Sequence, residues 1–230
     1  MLPLVFIPGL LCTAELFTPQ VAALWPHGPV TIASTLEGET IAQMATAILA
    51  QAPPEFALIG LSMGGMISLE IMRQAPARVR KLALLSTSAR PAPPEQTTLF
   101  GEMLAQARSG DAVAVISEGL TAVLHPHHQQ APALRALNRR MATAMSVEAF
   151  ASQAAAVRTR VDSRPSLAAI AVPTLVLVGE QDQLTPPALA QEMATAIPQA
   201  RLVIVPECGH ASTLEQPQAV NHALQEWLRE

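Results

Sequence analysis

Short, largely uninterrupted runs of apolar residues recur along the chain, and half of them are followed directly by a glycine or a proline. The runs cover residues 2–7, 30–33, 56–61, 82–85, 174–178 and 202–205. Uninterrupted runs are typical of strands that are buried on both faces, whereas strands with one solvated face alternate apolar and polar residues. The pattern therefore predicts a parallel sheet that is covered by helices on both sides.

Helix patterns lie between these runs, over residues 41–51, 64–74, 187–197 and 217–228. Thr40 precedes the first helix as a candidate N-cap. Pro187 and Pro217 stand in the first turn of two others, where a proline sacrifices no hydrogen bond. This alternation predicts an α/β fold with a mostly parallel, doubly wound sheet of about six or seven strands.

The alternation breaks after residue 90. A proline-rich connector follows, and residues 96–108, 111–124, 133–145 and 147–161 then have helical patterns without any strand signal. We therefore predict that residues 91–165 form a helical cap. The cap would be inserted into a core domain made of residues 1–90 and 166–230.

The most specific motif is the Gly-Leu-Ser-Met-Gly segment of residues 60–64, which follows a predicted strand and opens a predicted helix. Glycines flank the serine because the backbone turns sharply there, close to neighbouring elements. The turn would lift the hydroxyl of Ser62 above the sheet, beside the free N–H groups of a helix N-terminus. This context favours a nucleophilic serine over a mere tight turn.

A serine hydroxyl needs a base, and the base needs an acid that orients it. Asp182 and His210 follow the predicted strands at 174–178 and 202–205. Loops at the carboxyl ends of parallel strands open onto one edge of the sheet, so Ser62, Asp182 and His210 are expected to converge. The alternatives are Glu180 as the acid, Asp182 as a helix cap and His210 as a core histidine.

Backbone N–H groups must also stabilise the charge that forms on the carbonyl oxygen. We expect these donors to be Met63, directly after the serine, and Leu10, in the loop after the first strand. Apolar side chains are expected to line the substrate pocket around them. They are Leu10, Leu11, Met63, Leu184, Met141 and Met145.

Together, these segments resemble the α/β-hydrolase superfamily. The resemblance includes the Pro8-Gly9 turn, the serine motif, the Gly-x-x-Asp around Asp182 and Gly209-His210. It implies a helical cap over a serine, histidine and aspartate site. The chain departs from many cap-bearing members, which have a His-Gly pair at the first turn and an Asp-x-x-Gly-x-Gly-x-Ser segment where residues 34–40 lie.

The leading hypothesis is carboxylesterase activity on small, mostly apolar esters. The same residues could serve a lactonase, a carbon–carbon bond hydrolase, a perhydrolase or a lyase of menaquinone synthesis. A non-catalytic binding module would be expected to lack one of the three residues. No cluster of basic residues lies near the motifs, although Arg90, Arg139 and Arg140 could reach inward from the cap.

Composition narrows the partners. The net charge is −4 and no run of Lys or Arg offers a phosphate-binding stripe, so we expect no nucleic acid partner. No apolar run has membrane-spanning length and no signal peptide pattern opens the chain, so we expect a cytoplasmic protein without a membrane partner. The expected partner is a small ester substrate, and the expected state is a monomer or a homodimer. No metal or organic cofactor is expected.

Two groups of potential ligands have simpler interpretations. His125, His127 and His128 are predicted to lie in a solvated loop. Cys12 and Cys208 are predicted to be small buried thiols, with a free thiol in the pocket as the alternative, and no disulfide is expected.

Overall fold

The computed structural model describes residues 1–230 and contains one parallel sheet of six strands. In chain order the strands are β1 (Leu4–Ile7), β2 (Val30–Ile32), β3 (Phe56–Leu61), β4 (Val79–Leu85), β5 (Thr174–Gly179) and β6 (Ala200–Val205). Their order across the sheet is β2-β1-β3-β4-β5-β6, and all neighbours are parallel. The predicted fold class is confirmed.

The sheet is flanked by helices on both faces. Outside the segment between β4 and β5 they are α1 (Thr18–Leu24), α2 (Ile41–Gln51), α3 (Met63–Gln74), α8 (Pro187–Ala196), α9 (Ser212–Glu215) and α10 (Pro217–Arg229). Successive strand residues point to opposite faces and so enter two separate apolar clusters. One cluster includes residues of α2, α3 and α8, and the other includes residues of α1 and α10.

Four consecutive helices separate β4 from β5. They are α4 (Pro94–Ser109), α5 (Ala112–Ala122), α6 (Pro132–Thr143) and α7 (Val147–Arg158). Asp111 caps α5 by accepting the N–H of Ala114, and Ser146 caps α7 by accepting the N–H of Ala149. These helices occupy the segment that was predicted to be a cap. No helix of the chain combines the length and apolar character that a membrane crossing requires.

The main differences from the predicted elements lie where the apolar pattern is short or interrupted. Strand β4 begins at Val79, whereas the predicted strand began at residue 82. The prediction missed the first residues because Arg80 and Lys81 interrupt the apolar run. Lys81 is accommodated by donating from Nζ to the carbonyl oxygen of Trp227 at 2.9 Å. Helices α1 and α9 were not predicted, since neither is long enough to show a clear helical period.

The turn from β3 into α3 packs against β1 at very short range. A Cβ atom added at Gly64 would lie 2.0 Å from the carbonyl oxygen of Ile7, and one added at Gly60 would lie 2.3 Å from the carbonyl oxygen of Gly64. Both neighbours are backbone atoms, which have little room to move. Glycine is therefore required at both positions by the packing of strand against helix.

Two glycine substitutions test this packing. We expect Gly64→Ala to lower the free energy of unfolding by roughly 1–3 kcal/mol or more, since the new methyl group overlaps backbone atoms. Gly101→Ala is the matched control, because this position lies within α4 and has no neighbour within 4 Å. It should raise the free energy of unfolding by roughly 0.5–1 kcal/mol. Urea denaturation would measure both, and equal effects would contradict the packing argument.

Candidate active site

Ser62 occupies a strained turn between β3 and α3. Its backbone has φ 57° and ψ −117°, a conformation that serine rarely adopts. Two hydrogen bonds hold the turn: the N–H of Ser62 donates to the carbonyl oxygen of Leu85 at 2.9 Å, and Thr87 Oγ1 donates to the carbonyl oxygen of Ser62 at 2.7 Å. The hydroxyl is thereby held at the carboxyl edge of the sheet.

The three side chains predicted to converge lie in one hydrogen-bonded series. Ser62 Oγ lies 2.9 Å from His210 Nε2, and His210 Nδ1 lies 2.9 Å from Asp182 Oδ2. They are positioned by the ends of β3, β5 and β6, which share one edge of the sheet. When Nδ1 donates its hydrogen to Asp182, the lone pair of Nε2 faces the serine hydroxyl, so the imidazole can accept a proton from it.

The carboxylate of Asp182 is buried and fully hydrogen-bonded. Oδ1 accepts the N–H groups of Leu184 and Thr185 at 2.9 and 2.8 Å, and Oδ2 also accepts the hydroxyl of Thr185 at 2.7 Å. Burial by itself would raise the pKa of this carboxyl, but the positive charge and hydrogen bond of His210 and the bonds from Thr185 hold the pKa below its ordinary value. Asp182 is therefore an anion that orients and stabilises the histidine.

The structure does not bring Glu180 to the histidine. Its side chain is exposed, and its Oε2 accepts a hydrogen bond from Gln181 Nε2 at 2.9 Å. The loop after β5 turns Asp182 toward the site and leaves Glu180 in solvent. The geometry thus favours Asp182 over the alternative acid, and it places His210 beside Ser62 rather than in the apolar core.

The two predicted backbone donors have no competing partners in the loops around Ser62. The N–H of Leu10 makes no hydrogen bond within the protein, and Met63 is the first residue of α3, where an N–H has no intrahelical acceptor. The neighbouring N–H of Leu11 is already engaged, because it donates to Gln153 Oε1 at 2.8 Å. A carbonyl oxygen held above Ser62 could therefore accept from Leu10 and Met63.

Gln153 is a contributor that the sequence did not reveal. It lies on α7, is fully buried, and also donates from Nε2 to Thr35 Oγ1 at 3.0 Å. Its amide joins the loop after β1 to the segment after β2. It therefore helps to fix the backbone beside Leu10, although it does not line the cavity.

A cavity of about 350 Å³ opens above Ser62 and His210. Of the 27 residues that line it, 19 are hydrophobic, so it suits a mostly apolar ligand. Five of the six residues predicted to line a substrate pocket do so: Leu10, Leu11, Met63, Leu184 and Met141. Helices α4, α5 and α7 and the segment after β1 add further apolar contacts, among them Leu16, Phe100, Met103, Leu120 and Val157.

Met145 does not line this cavity, so its predicted role is corrected. The predicted helical pattern that carries Met141 extended to residue 145. Helix α6 ends at Thr143, however, and Met145 follows in a turn. Its side chain is buried in the other apolar cluster, apart from that of Met141.

None of the three arginines considered at the cap lines the cavity. Arg90 pairs with Glu192 at 2.9 Å, and Arg140 pairs with Glu15 at 2.9 Å, in both cases near the surface. Arg139 is exposed. The cavity wall therefore offers no cation for an acidic substrate group.

Both cysteines are buried and free. Cys12 lines the cavity, and burial raises the pKa of its thiol to about 12. Burial raises the pKa of the Cys208 thiol as well, as do the negative charges of Glu215 and Asp182. Both are therefore neutral thiols at ordinary pH and poor nucleophiles.

A second buried carboxylate, Glu215, ties the loop that carries the site histidine to the loop between α5 and α6. Its Oε2 accepts the N–H of His125 at 2.7 Å and of Gly209 at 3.2 Å, and Oε1 accepts the N–H of Ala211 at 3.0 Å. His128 Nδ1 lies 2.9 Å from the same carboxylate. The residues on both sides of the site histidine are thus held by one side chain.

These contacts differ from the predicted solvated histidine loop. His125 is buried, and its N–H and the ring of His128 are bound by Glu215. The histidines do not group with other side chains into a cluster that could hold a metal ion. The sequence offered one signal for Glu215, since it lies five positions after His210 on the same short connection.

Comparisons with known proteins agree with this geometry. The sequence model of the alpha/beta hydrolase fold family matches residues 27–217. A pimeloyl-(acyl-carrier protein) methyl ester esterase of Nitrosomonas europaea is 29% identical over 190 residues, which cover 78% of this chain and 74% of that protein. The 3-oxoadipate enol-lactonase 2 of Acinetobacter baylyi is 30% identical over 182 residues, which cover 75% of this chain and 63% of that protein.

Two solved structures extend the comparison to the full chain. A thermophilic esterase from Thermogutta terrifontis superposes with a TM-score of 0.87 at 28% identity, covering 100% of this chain and 90% of that one. The enol-lactonase from Burkholderia xenovorans LB400 superposes with a TM-score of 0.89 at 27% identity, covering 99% and 91%. The similarity therefore includes the helices between β4 and β5.

The choice of acid can be tested through the reactivity of Ser62 toward a serine-directed phosphonate. Asp182→Asn should slow covalent labelling by roughly 10³–10⁴-fold, because the histidine loses its orienting anion and correct tautomer. Glu180→Gln is the matched control and should label at the wild-type rate, since Glu180 is exposed. If Glu180→Gln were labelled more slowly than Asp182→Asn, Glu180 would be the acid that orients the histidine.

The role of Glu215 is tested by Glu215→Gln, which places an amide donor against N–H groups that need an acceptor. We expect a lower Tm and, at a temperature well below both transitions, labelling of Ser62 slowed by about tenfold, equivalent to about 1.4 kcal/mol in the barrier. Glu226→Gln removes an exposed carboxylate that pairs with Arg201 and should change neither quantity. Wild-type labelling by folded Glu215→Gln would show that Glu215 supports stability alone.

Proposed function

The chain belongs to the alpha/beta hydrolase fold family, and we propose that it is a serine hydrolase that cleaves small, mostly apolar carboxylic esters through an acyl-enzyme on Ser62. One observation carries the proposal. The hydrogen-bonded series of Ser62, His210 and Asp182 meets a mostly apolar cavity at the end that holds the serine hydroxyl. The nucleophile and its base therefore lie at the wall of a cavity that can hold a substrate.

The first half of the reaction forms the acyl-enzyme. Ser62 Oγ attacks the ester carbonyl carbon while His210 Nε2 takes the hydroxyl proton, and the carbonyl π electrons move onto the oxygen. The N–H groups of Leu10 and Met63 stabilise that oxyanion. When the tetrahedral intermediate collapses, the carbon–oxygen bond to the alcohol breaks and His210 gives its proton to the leaving oxygen.

The second half releases the acid. His210 takes a proton from a water molecule, whose oxygen attacks the acyl carbon and forms a second oxyanion in the same place. Collapse breaks the bond to Ser62 Oγ, which recovers a proton from His210. Asp182 stays ionised throughout and stabilises the imidazolium that forms in each half, which its lowered pKa favours.

The lining of the cavity supports neutral, mostly apolar esters. Its walls are largely aliphatic, and Arg90, Arg139 and Arg140 do not contribute to them. A relative at 29% identity is named a methyl ester esterase, which agrees with an ester bond as the target. We also propose that residues 91–165 act as a cap on a core of residues 1–90 and 166–230, since α4–α7 supply part of the cavity wall.

Lactone hydrolysis is the second candidate. An enol-lactonase is 30% identical over 182 residues, and another is similar over nearly the whole chain. A lactone is a cyclic ester, so the same steps apply, except that the leaving oxygen stays tethered to the acyl group. Comparing kcat/KM across open-chain esters and lactones of equal carbon number would separate the two activities.

The proposal is tested by Ser62→Ala. We expect kcat for a short-chain methyl ester to fall by roughly 10⁵–10⁶-fold, because the nucleophile is lost, while Tm stays near the wild-type value. Release of acid would be followed by pH-stat titration, and the phosphonate adduct on the wild-type protein should map to Ser62. Ser166→Ala, outside the cavity lining, serves as the control with unchanged turnover. Undiminished turnover in Ser62→Ala would refute the mechanism.

A further inference from the structure

The apolar cavity contains one buried amide that the proposed mechanism does not use. Asn138 lies on α6, is only 2% exposed, and lines the cavity together with Met141, which follows it after about one helical turn. Asparagine is rarely buried without a purpose, because its polar atoms must be satisfied. Its hydrogen bonds therefore show what the cavity can recognise.

The orientation of this amide is fixed by its neighbours on α5. Thr121 Oγ1 has one hydrogen, which it donates to the carbonyl oxygen of Ser117 at 2.8 Å. Thr121 Oγ1 can therefore only accept from Asn138, whose Nδ2 lies 3.0 Å away. The oxygen and nitrogen of the amide cannot be exchanged while Thr121 Oγ1 keeps its bond to Ser117, so Oδ1 and the second hydrogen of Nδ2 have no partner within the protein.

No hydrogen bond within the protein reaches Asn138 Oδ1. Oδ1 is not among the atoms sealed off from solvent, so an apolar ligand that displaced water from it would leave it unpaired at a cost. Leucine would fill a similar volume without that cost. Ser62 and His210 bind each other, and Gln96 Oε1 accepts a hydrogen bond from Arg160. The remaining polar side chains of the wall, Gln106 and Glu118, are exposed. The cavity thus presents an oriented acceptor to whatever occupies it.

We propose that Asn138 determines specificity by accepting a hydrogen bond from a neutral donor, a hydroxyl or an amide N–H, on the substrate chain that lies along α6. The inference rests on the proposed ester hydrolysis and narrows its substrate class from apolar esters to esters that carry one such donor. The donor is neutral because Glu118, the one carboxylate among the lining residues, lies in solvent. An analogue without the donor leaves Oδ1 unpaired and is discriminated against.

Matched pairs of esters test this. In the first series, methyl alkanoates are compared with methyl ω-hydroxyalkanoates of increasing length, which places the donor in the acyl part. In the second series, alkyl acetates are compared with ω-hydroxyalkyl acetates, which places the donor in the alcohol part. In the wild type we expect kcat/KM to be about tenfold or more higher for the hydroxyl compound than for its partner, at one chain length in one of the two series. Asn138→Leu should remove this preference and improve turnover of the unsubstituted partner.

Asn138→Asp retains an acceptor oxygen and is expected to keep part of the preference, which a purely structural role of Asn138 would not explain. Binding of the same pairs to Ser62→Ala, with and without Asn138→Leu, is measured by calorimetry and reads the recognition without any turnover. Loss of ester hydrolysis in every pair would refute the proposed function alone. Equal effects of Asn138→Leu on both members of each pair, in turnover and in binding, would overturn the role of Asn138.

Discussion

The rest of the site depends on a strained turn at the end of the central strand β3. Serine disfavours the positive φ of Ser62, and the turn persists because its neighbours hold it. Strand β4 supplies the carbonyl of Leu85 and the loop after it supplies the hydroxyl of Thr87 on one side, and β1 packs against Gly64 on the other. The sheet order β1-β3-β4 is therefore the physical reason that a hydroxyl stands at this edge with an N–H-bearing loop beside it.

The interior strands β1, β3 and β5 were predictable from sequence because all their residues are buried. Strand β3 agrees residue for residue with its apolar run, and β5 differs by one residue. Edge strand β2 gave a weak signal, since its residues are only partly buried or exposed. Met145 shows the limit of helical periodicity: the pattern continued beyond Thr143, but the backbone did not. A periodic pattern reports which residues avoid water and leaves open where a helix ends.

The side chains that follow sheet strands could be placed from sequence, because parallel strands bring their carboxyl ends together. Ser62, Asp182 and His210 are all of this kind. Glu215, Gln153 and Asn138 are different, since their roles come from contacts with segments whose position depends on how the four inserted helices pack on the sheet. The local sequence around Gln153 does not predict that its amide oxygen accepts a hydrogen bond from the N–H of Leu11. Such pairs become visible only in three dimensions.

Two hydrogen bonds that join helices α5 and α7 to the loops of the site bear on how molecules could enter and leave the cavity. Lifting α7 would break the bond from Leu11 to Gln153, and displacing the end of α5 would break the one from the N–H of His210 to the carbonyl of Val123. Helix α4, by contrast, makes no hydrogen bond to the loops that carry the reactive groups; its Gln96 accepts from Arg160, and half-exposed Leu99 lies at the cavity. Local opening is least costly where the fewest contacts must be given up. Exchange with bulk water past α4 would therefore leave both bonds to the reactive loops undisturbed.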